Sequence, residues 1–260
     1  MAIFDCCLFA GELDHLLIRC HELEEIVDHF VVVEANTTFQ GAPRTMVAHK
    51  MIEDGVLDRW KERLRLIQVT NVPHLDGAIG GAGSPTFMVR ERFIRDQMMT
   101  GYWDARGHDM ILTSDVDEIP TVEGVREAQR RLDLERSLVF CQKMFVWSRR
   151  WFWPGPSWNT CAYLAGSGFT PQQIRDLRFE MIQEGHVIRE GGWHLTWQGG
   201  PDANRVKLAS FSHAEHLDKM TQIEELALKG IDINNVQLSP VDIASEPWPR
   251  FFLDHPEVWT

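Results

Sequence analysis

An apolar run closes on three acidic side chains in the sequence Met110-Ile111-Leu112-Thr113-Ser114-Asp115-Val116-Asp117-Glu118-Ile119-Pro120. Residues 110–113 have the composition of a buried strand, and Asp115 and Asp117 follow at its carboxyl end. Ligands of open α/β sheets bind at that edge of the sheet. Two carboxylates spaced i and i+2 in a turn can converge on one Mg²⁺ or Mn²⁺ ion, which keeps its other positions for water and phosphate. The alternative interpretation is an acidic loop that only caps the next helix.

Strand and helix signals alternate on both sides of this run. Four further segments have the composition of strands: residues 3–9, 30–33, 64–69 and 138–147. Helices are indicated at residues 13–27, where apolar side chains recur at helical spacing, and at residues 87–103, 121–132 and 217–229. This alternation predicts an α/β fold with a mostly parallel central sheet that is flanked by helices.

The amino-acid composition changes after about residue 147, where tryptophans lie among prolines and glycines. No stretch has the composition of a linker, so we expect one domain over residues 1–260. It would consist of a first half, residues 1–147, and a second half, residues 148–260. The second half ends in a proline-containing tail from residue 239 onward, which we expect to wrap over the domain.

Composition and charge narrow the function classes. The 260 residues include 26 Lys plus Arg and 38 Asp plus Glu, so the formal net charge is −12. An acidic surface repels phosphate backbones, which disfavours a nucleic-acid acceptor without excluding a local basic groove. No export signal is visible, and no run approaches the about 20 apolar residues of a membrane span. The five cysteines follow no zinc-ligand spacing and are typical of reduced core thiols, so we expect a cytoplasmic protein.

Two chemistries use a pair of aspartates after a strand. In one, Asp115 is the phosphorylated nucleophile of a Mg²⁺-dependent phosphatase, although over a hundred residues precede it here and no later paired-Asp loop completes a magnesium site. In the other, the pair is the DxD motif of GT-A glycosyltransferases, whose metal bridges the diphosphate of a nucleotide sugar. A third possibility is a carbohydrate-binding protein that keeps a tryptophan-lined cleft without catalysis.

Further motifs follow one another along residues 4–213. They are Phe4-Asp5-Cys6-Cys7-Leu8-Phe9, Glu12-Leu13-Asp14, Leu17-Ile18-Arg19, Val33-Glu34-Ala35-Asn36-Thr37-Thr38-Phe39-Gln40-Gly41, Ser114-Asp115-Val116-Asp117-Glu118-Ile119-Pro120, Gly191-Gly192-Trp193-His194 and Lys207-Leu208-Ala209-Ser210-Phe211-Ser212-His213. In these motifs the chain resembles glycosyltransferase family 17, a family of β-1,4-mannosyl-glycoprotein N-acetylglucosaminyltransferases. The membrane anchor of the animal enzymes is not visible in this sequence, so we expect a soluble bacterial or viral relative.

The resemblance implies a GT-A-like fold and inverting transfer of a sugar, most simply GlcNAc, from a UDP-sugar to a carbohydrate or glycoconjugate acceptor with Mn²⁺ or Mg²⁺. Residues 1–147 would bind the nucleotide sugar, and residues 148–260 would form the acceptor side. Asp117 is the expected metal ligand, and Asp115 would hold the metal, its water or the ribose. His213 or His194 would complete the site. We favour His213, because nearby Lys207 could neutralise the donor diphosphate.

Further donor contacts are expected where the first two strands end, at Asp5, Glu34 and Asn36, since GT-A folds receive uracil and ribose at that edge. A buried, hydrogen-bonded carboxylate is the alternative role for Asp5. A predicted helix ahead of the DxD motif carries Arg90, Arg92 and Arg95. One of these, which we take to be Arg92, would pair with diphosphate.

The acceptor side is expected to supply a catalytic base and aromatic sugar contacts. Inverting transfer needs a base for the acceptor hydroxyl, and Glu190 ahead of the Gly-Gly-Trp-His motif is our candidate. An indole offers a broad apolar face to a sugar ring, although tryptophans are also common core anchors. Among the tryptophans of the second half, we assign Trp151, Trp153 and Trp193 to the acceptor site.

Overall fold

The computed structural model describes residues 1–73, 85–210 and 214–259. The strands are β1 (Ile3–Phe9), β2 (His29–Ala35), β3 (Leu64–Val69), β4 (Met110–Asp115), β5 (Glu118–Pro120), β6 (Ser137–Val146), β7 (Trp151–Phe152), β8 (Ser157–Leu164), β9 (Val187–Ile188), β10 (Gly192–Thr196) and β11 (Ser239–Pro240). The α-helices are α1 (Leu13–Leu23), α2 (Ala48–Glu53), α3 (Pro85–Asp96), α4 (Met98–Gly101), α5 (Val122–Arg131), α6 (Pro171–Asp176), α7 (Arg178–Glu184), α8 (Gly200–Ser210), α9 (Ile223–Lys229) and α10 (Phe251–Asp254).

These strands form one central sheet. Eight of them follow one another across it in the order β11-β7-β6-β8-β4-β1-β2-β3, and β5, β9 and β10 lie off this path. The N-terminal side is parallel, since β1 pairs in parallel with β2 and β4, and β2 with β3. The predicted α/β fold is confirmed. The sheet is less parallel than predicted, because β8 runs antiparallel between β4 and β6. Sequence analysis missed β8, whose polar Ser157, Asn159 and Thr160 resemble a loop.

The sheet is buried on both faces because its central strands alternate between two apolar clusters. On one face, Cys7 of β1 lies in a cluster with Leu16 and Leu23 of α1. On the other, Cys6 lies in a cluster with Ile94 of α3. The five cysteines are free, and all but Cys141 are buried. Helices on both faces of the sheet therefore leave its carboxyl edge as the place where a ligand can enter.

Two predicted helices are shorter in the structure. The segment expected to be helical over residues 87–103 is divided at Gln97 into α3 and α4. The segment expected over residues 217–229 begins its α-helix only at Ile223, after a 3-10 turn over Ala214–Lys219. In the helix predicted over residues 121–132, the Thr121 hydroxyl caps α5 by accepting the Gly124 N–H. None of the helices in the described ranges has both the length and the apolar character needed to cross a bilayer.

The tail lies against α1 and β5. Phe251 and Phe252 of α10 are buried in one cluster with Ile18 and Ile119. The Arg250 backbone N–H donates to a Glu22 carboxylate oxygen of α1, which ties the tail to the first helix. The described part of the tail therefore covers apolar surface behind the acidic loop.

One buried arginine joins the first strand, the first helix and the acidic loop. Arg19 of α1 is fully buried. Its guanidinium donates to both carboxylate oxygens of Asp5 at 2.6 and 2.5 Å, and to the Ser114 hydroxyl at 2.6 Å. It also donates to the backbone oxygen of Glu118 at 2.8 Å. Arg19 thus fixes where β4 ends and where the acidic loop begins.

We expect Arg19→Met to reduce the free energy of unfolding by about 3–5 kcal/mol, because it leaves the buried Asp5 carboxylate without its partner. Urea unfolding measures this loss. The matched control is Arg126→Met, which removes the exposed pair of Arg126 with Glu25 and should cost less than about 1 kcal/mol. An equal cost for both variants would contradict the structural role of Arg19.

Candidate active site

A cleft of about 680 Å³ opens at the carboxyl ends of β1, β2 and β4. Its volume lies within the range of about 300–1,000 Å³ that is common for small-molecule sites. The DxD side chains Asp115 and Asp117 line it, and His194 of β10 and Lys207 of α8 line it from the second half of the chain. The cleft therefore joins the two halves at the edge where ligands of α/β sheets bind.

Asp115 is held between two arginines. Arg95 donates to its Oδ1 at 2.9 Å and Arg175 to its Oδ2 at 2.9 Å. Arg175 also donates to both carboxylate oxygens of Glu118, at 2.7 and 2.8 Å. Burial raises the pKa of Asp115, but Arg175 and Arg95 outweigh this effect and lower it to about 2. Asp115 is therefore an ionised anchor of the loop rather than a free ligand.

Asp117 meets the second half of the chain. Lys207 donates to its Oδ2 at 2.7 Å, and its Oδ1 lies 3.7 Å from the Nε2 of His194. Burial raises the pKa of Asp117, but Lys207 and His194 outweigh it and hold this pKa well below its usual range. The Lys207 ammonium also lies 5.7 Å from the ring centroid of Trp197, within cation–π distance.

Of the predicted metal ligands, Asp115, Asp117 and His194 lie among the described residues that line the cleft. No group of three or more His, Cys, Asp or Glu side chains in these residues is arranged to hold a metal ion. Both oxygens of Asp115 bind arginines, so the predicted ligation by Asp115 does not agree with its contacts. Asp117 Oδ1 and His194 Nε2 face each other at 3.7 Å, too far apart for a hydrogen bond. They fit an ion that takes few protein ligands and shares substrate phosphates. His213, our favoured third ligand, lies outside the described residues.

Comparison with known proteins decides the family. A family model described as glycosyltransferase family 17 matches residues 1–237. The chain belongs to glycosyltransferase family 17. The family predicted from the ordered motifs is thereby confirmed.

Family 17 relatives match a large part of this chain. The beta-1,4-mannosyl-glycoprotein 4-beta-N-acetylglucosaminyltransferase of Homo sapiens is 24% identical over 229 residues, which cover 78% of this chain and 42% of that protein. The protein of the same name from Rattus norvegicus is also 24% identical, and the match covers 78% of this chain and 41% of that protein. The chain thus spans less than half the length of these curated relatives.

Two solved structures are similar to part of this chain. The structure of S. aureus TarS 1-349 has a TM-score of 0.31 and 17% identity, and covers 56% of this chain and 36% of that one. The structure of 4-diphosphocytidyl-2C-methyl-D-erythritol synthase has a TM-score of 0.43 and 14% identity, and covers 80% of this chain and 97% of that one. Membership of family 17 rests on the sequence match alone.

In this family 17 chain, the predicted donor residues of the first two strands are not cleft residues. Asp5 lies within β1, and both of its oxygens bind Arg19, which matches its alternative role as a buried, hydrogen-bonded carboxylate. Glu34 is also buried, and its oxygens accept the backbone N–H groups of Val47 and Ala48 at 2.8 and 2.9 Å. The alternation of side chains along β2 turns Glu34 away from the face whose residues line the cleft. Asn36 lies beside the cleft, and its amide faces a backbone oxygen at 3.5 Å.

Arginines from three helices line the cleft. Arg92 does so as predicted, with its guanidinium 3.2 Å from Asp176. Sequence reasoning missed Arg175 of α6 and Arg178 of α7. Arg178 lines the cleft, and no carboxylate of the described residues lies within salt-bridge distance of it. Burial lowers its pKa, and the neighbouring charge of Arg175 lowers it further. The capping box at Thr170 was the available signal for the helix that leads to these arginines.

Glu190 does not reach the cleft. It lies exposed in the turn between β9 and β10 with a φ of +52°, and the Thr121 hydroxyl donates to its backbone oxygen. The cleft is lined from β10 onward by His194 and Thr196 instead. The turn thus places the predicted catalytic base Glu190 in solvent, away from the described lining of the cleft.

Three predicted acceptor tryptophans are framework residues. Trp151 and Trp153 pack against an apolar cluster that includes Leu226 of α9. Trp193 is buried, and its indole N–H donates to the backbone oxygen of Pro247 in the tail at 2.7 Å. None of the three is among the described residues that line the cleft, so their assignment to the acceptor site stays a prediction. Trp197, which lies four residues after Trp193, lines the cleft.

Because Asp115 is ionised between two arginines, we expect Asp115→Asn to be less stable than the wild type at pH 7. The pKa of Asp115 is lowered to about 2 in the folded protein, so its contribution is present above the unfolded pKa of about 4 and is lost as pH falls towards 2. The difference in urea midpoint between the two proteins should therefore narrow as pH falls below about 4. Asp202→Asn, at an exposed pair with Arg205, is the control and should show a much smaller difference. A difference for Asp115→Asn that stays constant with pH would contradict this assignment.

Proposed function

We propose that this family 17 member transfers a sugar from a UDP-sugar to an acceptor hydroxyl with inversion at the anomeric carbon. The observation that carries the proposal is the position of Asp117, which lies with Lys207 and His194 in the cleft at the carboxyl end of β4. The printed names of the relatives describe N-acetylglucosaminyl transfer to mannosyl glycoproteins. GlcNAc is therefore the sugar that we propose first, and a carbohydrate or glycoconjugate is the acceptor.

Two cations of the cleft suit the donor diphosphate. Lys207 is bound to Asp117, and Arg178 has no carboxylate within salt-bridge distance in the described residues. A guanidinium can bind two phosphate oxygens at once, and an ammonium binds them as a point charge. We therefore assign diphosphate binding to Arg178 and Lys207. Arg92 is the predicted alternative, but its side chain is about half exposed beside Asp176, whereas Lys207 is largely buried beside Asp117.

We propose Mn²⁺ or Mg²⁺ as the cofactor, held by Asp117 and His194 together with diphosphate oxygens. When bound, the ion would offset the negative charge that develops on the leaving diphosphate. The Nδ1 of His194 lies 3.2 Å from the Ser157 hydroxyl, which can fix the ring so that Nε2 faces Asp117. The two arginines on Asp115 would keep the loop, and so Asp117, in one position.

The other functions inferred from the sequence receive less support. A phosphatase would need a free Asp115 oxygen to attack phosphorus, whereas both of its oxygens accept arginine hydrogen bonds. A carbohydrate-binding protein without turnover would keep the cleft, and measurement of UDP release separates it from an enzyme.

The test of the function is release of UDP from UDP-GlcNAc in the presence of Mn²⁺, with UDP-GalNAc, UDP-glucose and UDP-galactose as further donors. Asp117→Asn should abolish release, because it removes one full charge from the proposed donor site. Glu190→Gln is the control, since Glu190 is exposed outside the cleft, and it should retain wild-type activity. Wild-type activity in a folded Asp117→Asn protein would contradict the proposed role of Asp117.

Thermal unfolding tests the donor site without turnover. UDP at about 100 times its dissociation constant should stabilise the protein by about 2.7 kcal/mol, a rise in melting temperature of about 5–10 °C, when Mn²⁺ is present. Arg178→Met should reduce this rise, because it removes the cation assigned to diphosphate. Arg136→Met is the control, since Arg136 lies outside the cleft lining, and it should leave the rise unchanged. A larger rise with GDP or CDP than with UDP would contradict the proposed donor.

A further inference from the structure

The carboxylates of the cleft differ in whether a cation is bound to them. Those among the described residues are Glu12, Glu91, Asp115, Asp117, Glu118, Asp176 and Asp232. Five of them form salt bridges with arginine or lysine. A cation at this distance stabilises the ionised carboxylate and weakens its affinity for a proton. Among the described residues, Glu12 and Asp232 have no salt bridge, so these two are the candidates for a proton acceptor.

Asp232 is held by hydrogen bonds that leave one oxygen available. Its Oδ1 accepts the backbone N–H groups of Asn234 at 2.8 Å and Val236 at 2.7 Å. Its Oδ2 has only the Asn234 side-chain amide, at 3.4 Å. The residue is 4% exposed and lines the cleft. The carboxylate is thus oriented by neutral donors.

The loop that carries Asp232 is fixed by aromatic residues of the second half. The Trp147 indole N–H donates to the backbone oxygen of Ile231 at 2.8 Å. Gly230 lies against the ring of Trp151, where an added Cβ would come within 2.5 Å of a ring carbon. The Trp147 ring packs at a tilt against Trp197, with ring centroids 5.6 Å apart, and Trp197 lines the cleft. A rigid support of this kind is what a catalytic side chain requires.

Glu12 lies close to the donor cation instead. Its Oε2 accepts the Ala10 backbone N–H at 2.8 Å. Burial lowers the pKa of Lys207, but Asp117 and Glu12 outweigh this effect and raise it, so the Glu12 charge acts on the cation assigned to the diphosphate. In an inverting displacement the base faces the side of the anomeric carbon opposite the leaving group. Glu12, whose charge acts on the cation assigned to the diphosphate, lies on the leaving-group side and does not meet this requirement.

We infer that Asp232 is the general base of the transfer reaction, an inference that rests on the proposed function. The acceptor oxygen forms a bond to the anomeric carbon as the bond from that carbon to the diphosphate oxygen breaks. The hydroxyl proton moves to Oδ2 of Asp232, the electron pair of the broken bond leaves with UDP, and the proton then passes to water. The Asn234 and Val236 N–H groups keep Oδ1 bound throughout.

The first variant is Asp232→Asn, whose amide oxygen can still accept both backbone N–H groups. Turnover is measured as UDP release from UDP-GlcNAc in the presence of Mn²⁺, with methyl β-D-mannopyranoside or water as the acceptor of the sugar. The kcat should fall by about 100-fold or more, as expected for loss of a general base, while the melting temperature and the affinity for UDP stay at wild-type values. Asp109→Asn is the matched control, because Asp109 is also buried and accepts two backbone N–H groups but does not line the cleft. It should keep its kcat.

Rescue by a small acid separates a base from a structural residue. In Asp232→Ala, added formate should restore part of the turnover, because formate can accept the proton in the space left by the side chain. The assignment of Asp232 would be overturned if Asp232→Asn keeps the wild-type kcat. It would also be overturned if Glu12→Gln loses turnover while Asp232→Asn does not. If the wild-type protein releases no UDP from any of the four donors, the proposed function itself fails.

Discussion

The structure depends on arginines buried against carboxylates beneath the acidic loop. Arg19 binds Asp5 of β1, and Arg95 and Arg175 bind Asp115 at the end of β4. Buried charges of this kind are costly unless both partners are present and their remaining hydrogen bonds are satisfied. These buried ion pairs therefore fix the geometry of the acidic loop, and with it the part of the cleft that this loop lines.

The two DxD carboxylates of this loop have different contacts. Asp115 is bound on both oxygens and acts as an anchor, whereas Asp117 faces the second half of the chain through Lys207 and His194. In this chain the motif thus places an anchored carboxylate two residues before a carboxylate that contacts Lys207 and His194. The glycosyltransferase chemistry that we propose uses the second carboxylate and relies on the first for its position.

The sequence predicted those parts of the molecule that depend on local pattern. The strand at residues 3–9 and the acidic loop after residue 113 were recognisable from apolar runs and their polar ends. The pairing of Asp5 could not be predicted because its partner Arg19 comes from a different element, and a lone carboxylate in a strand does not reveal that contact. Arg178 and Asp232 were missed for the same reason, since only the folded chain brings them to the cleft. The exposure of Glu190 could not be predicted because a turn with positive φ directs it to solvent.

The salt bridges of the cleft also affect the stage of folding at which the cleft can form. Asp115 and Arg175 are 60 residues apart, and Asp117 and Lys207 are 90 residues apart. A nascent chain that has formed only the first half carries both aspartates close together without these later cations, and the two like charges repel each other. The salt bridge between Asp117 and Lys207 thus forms only after α8 has docked. Long-range contacts of this kind slow folding, and they make the appearance of the site nearly coincident with completion of the fold.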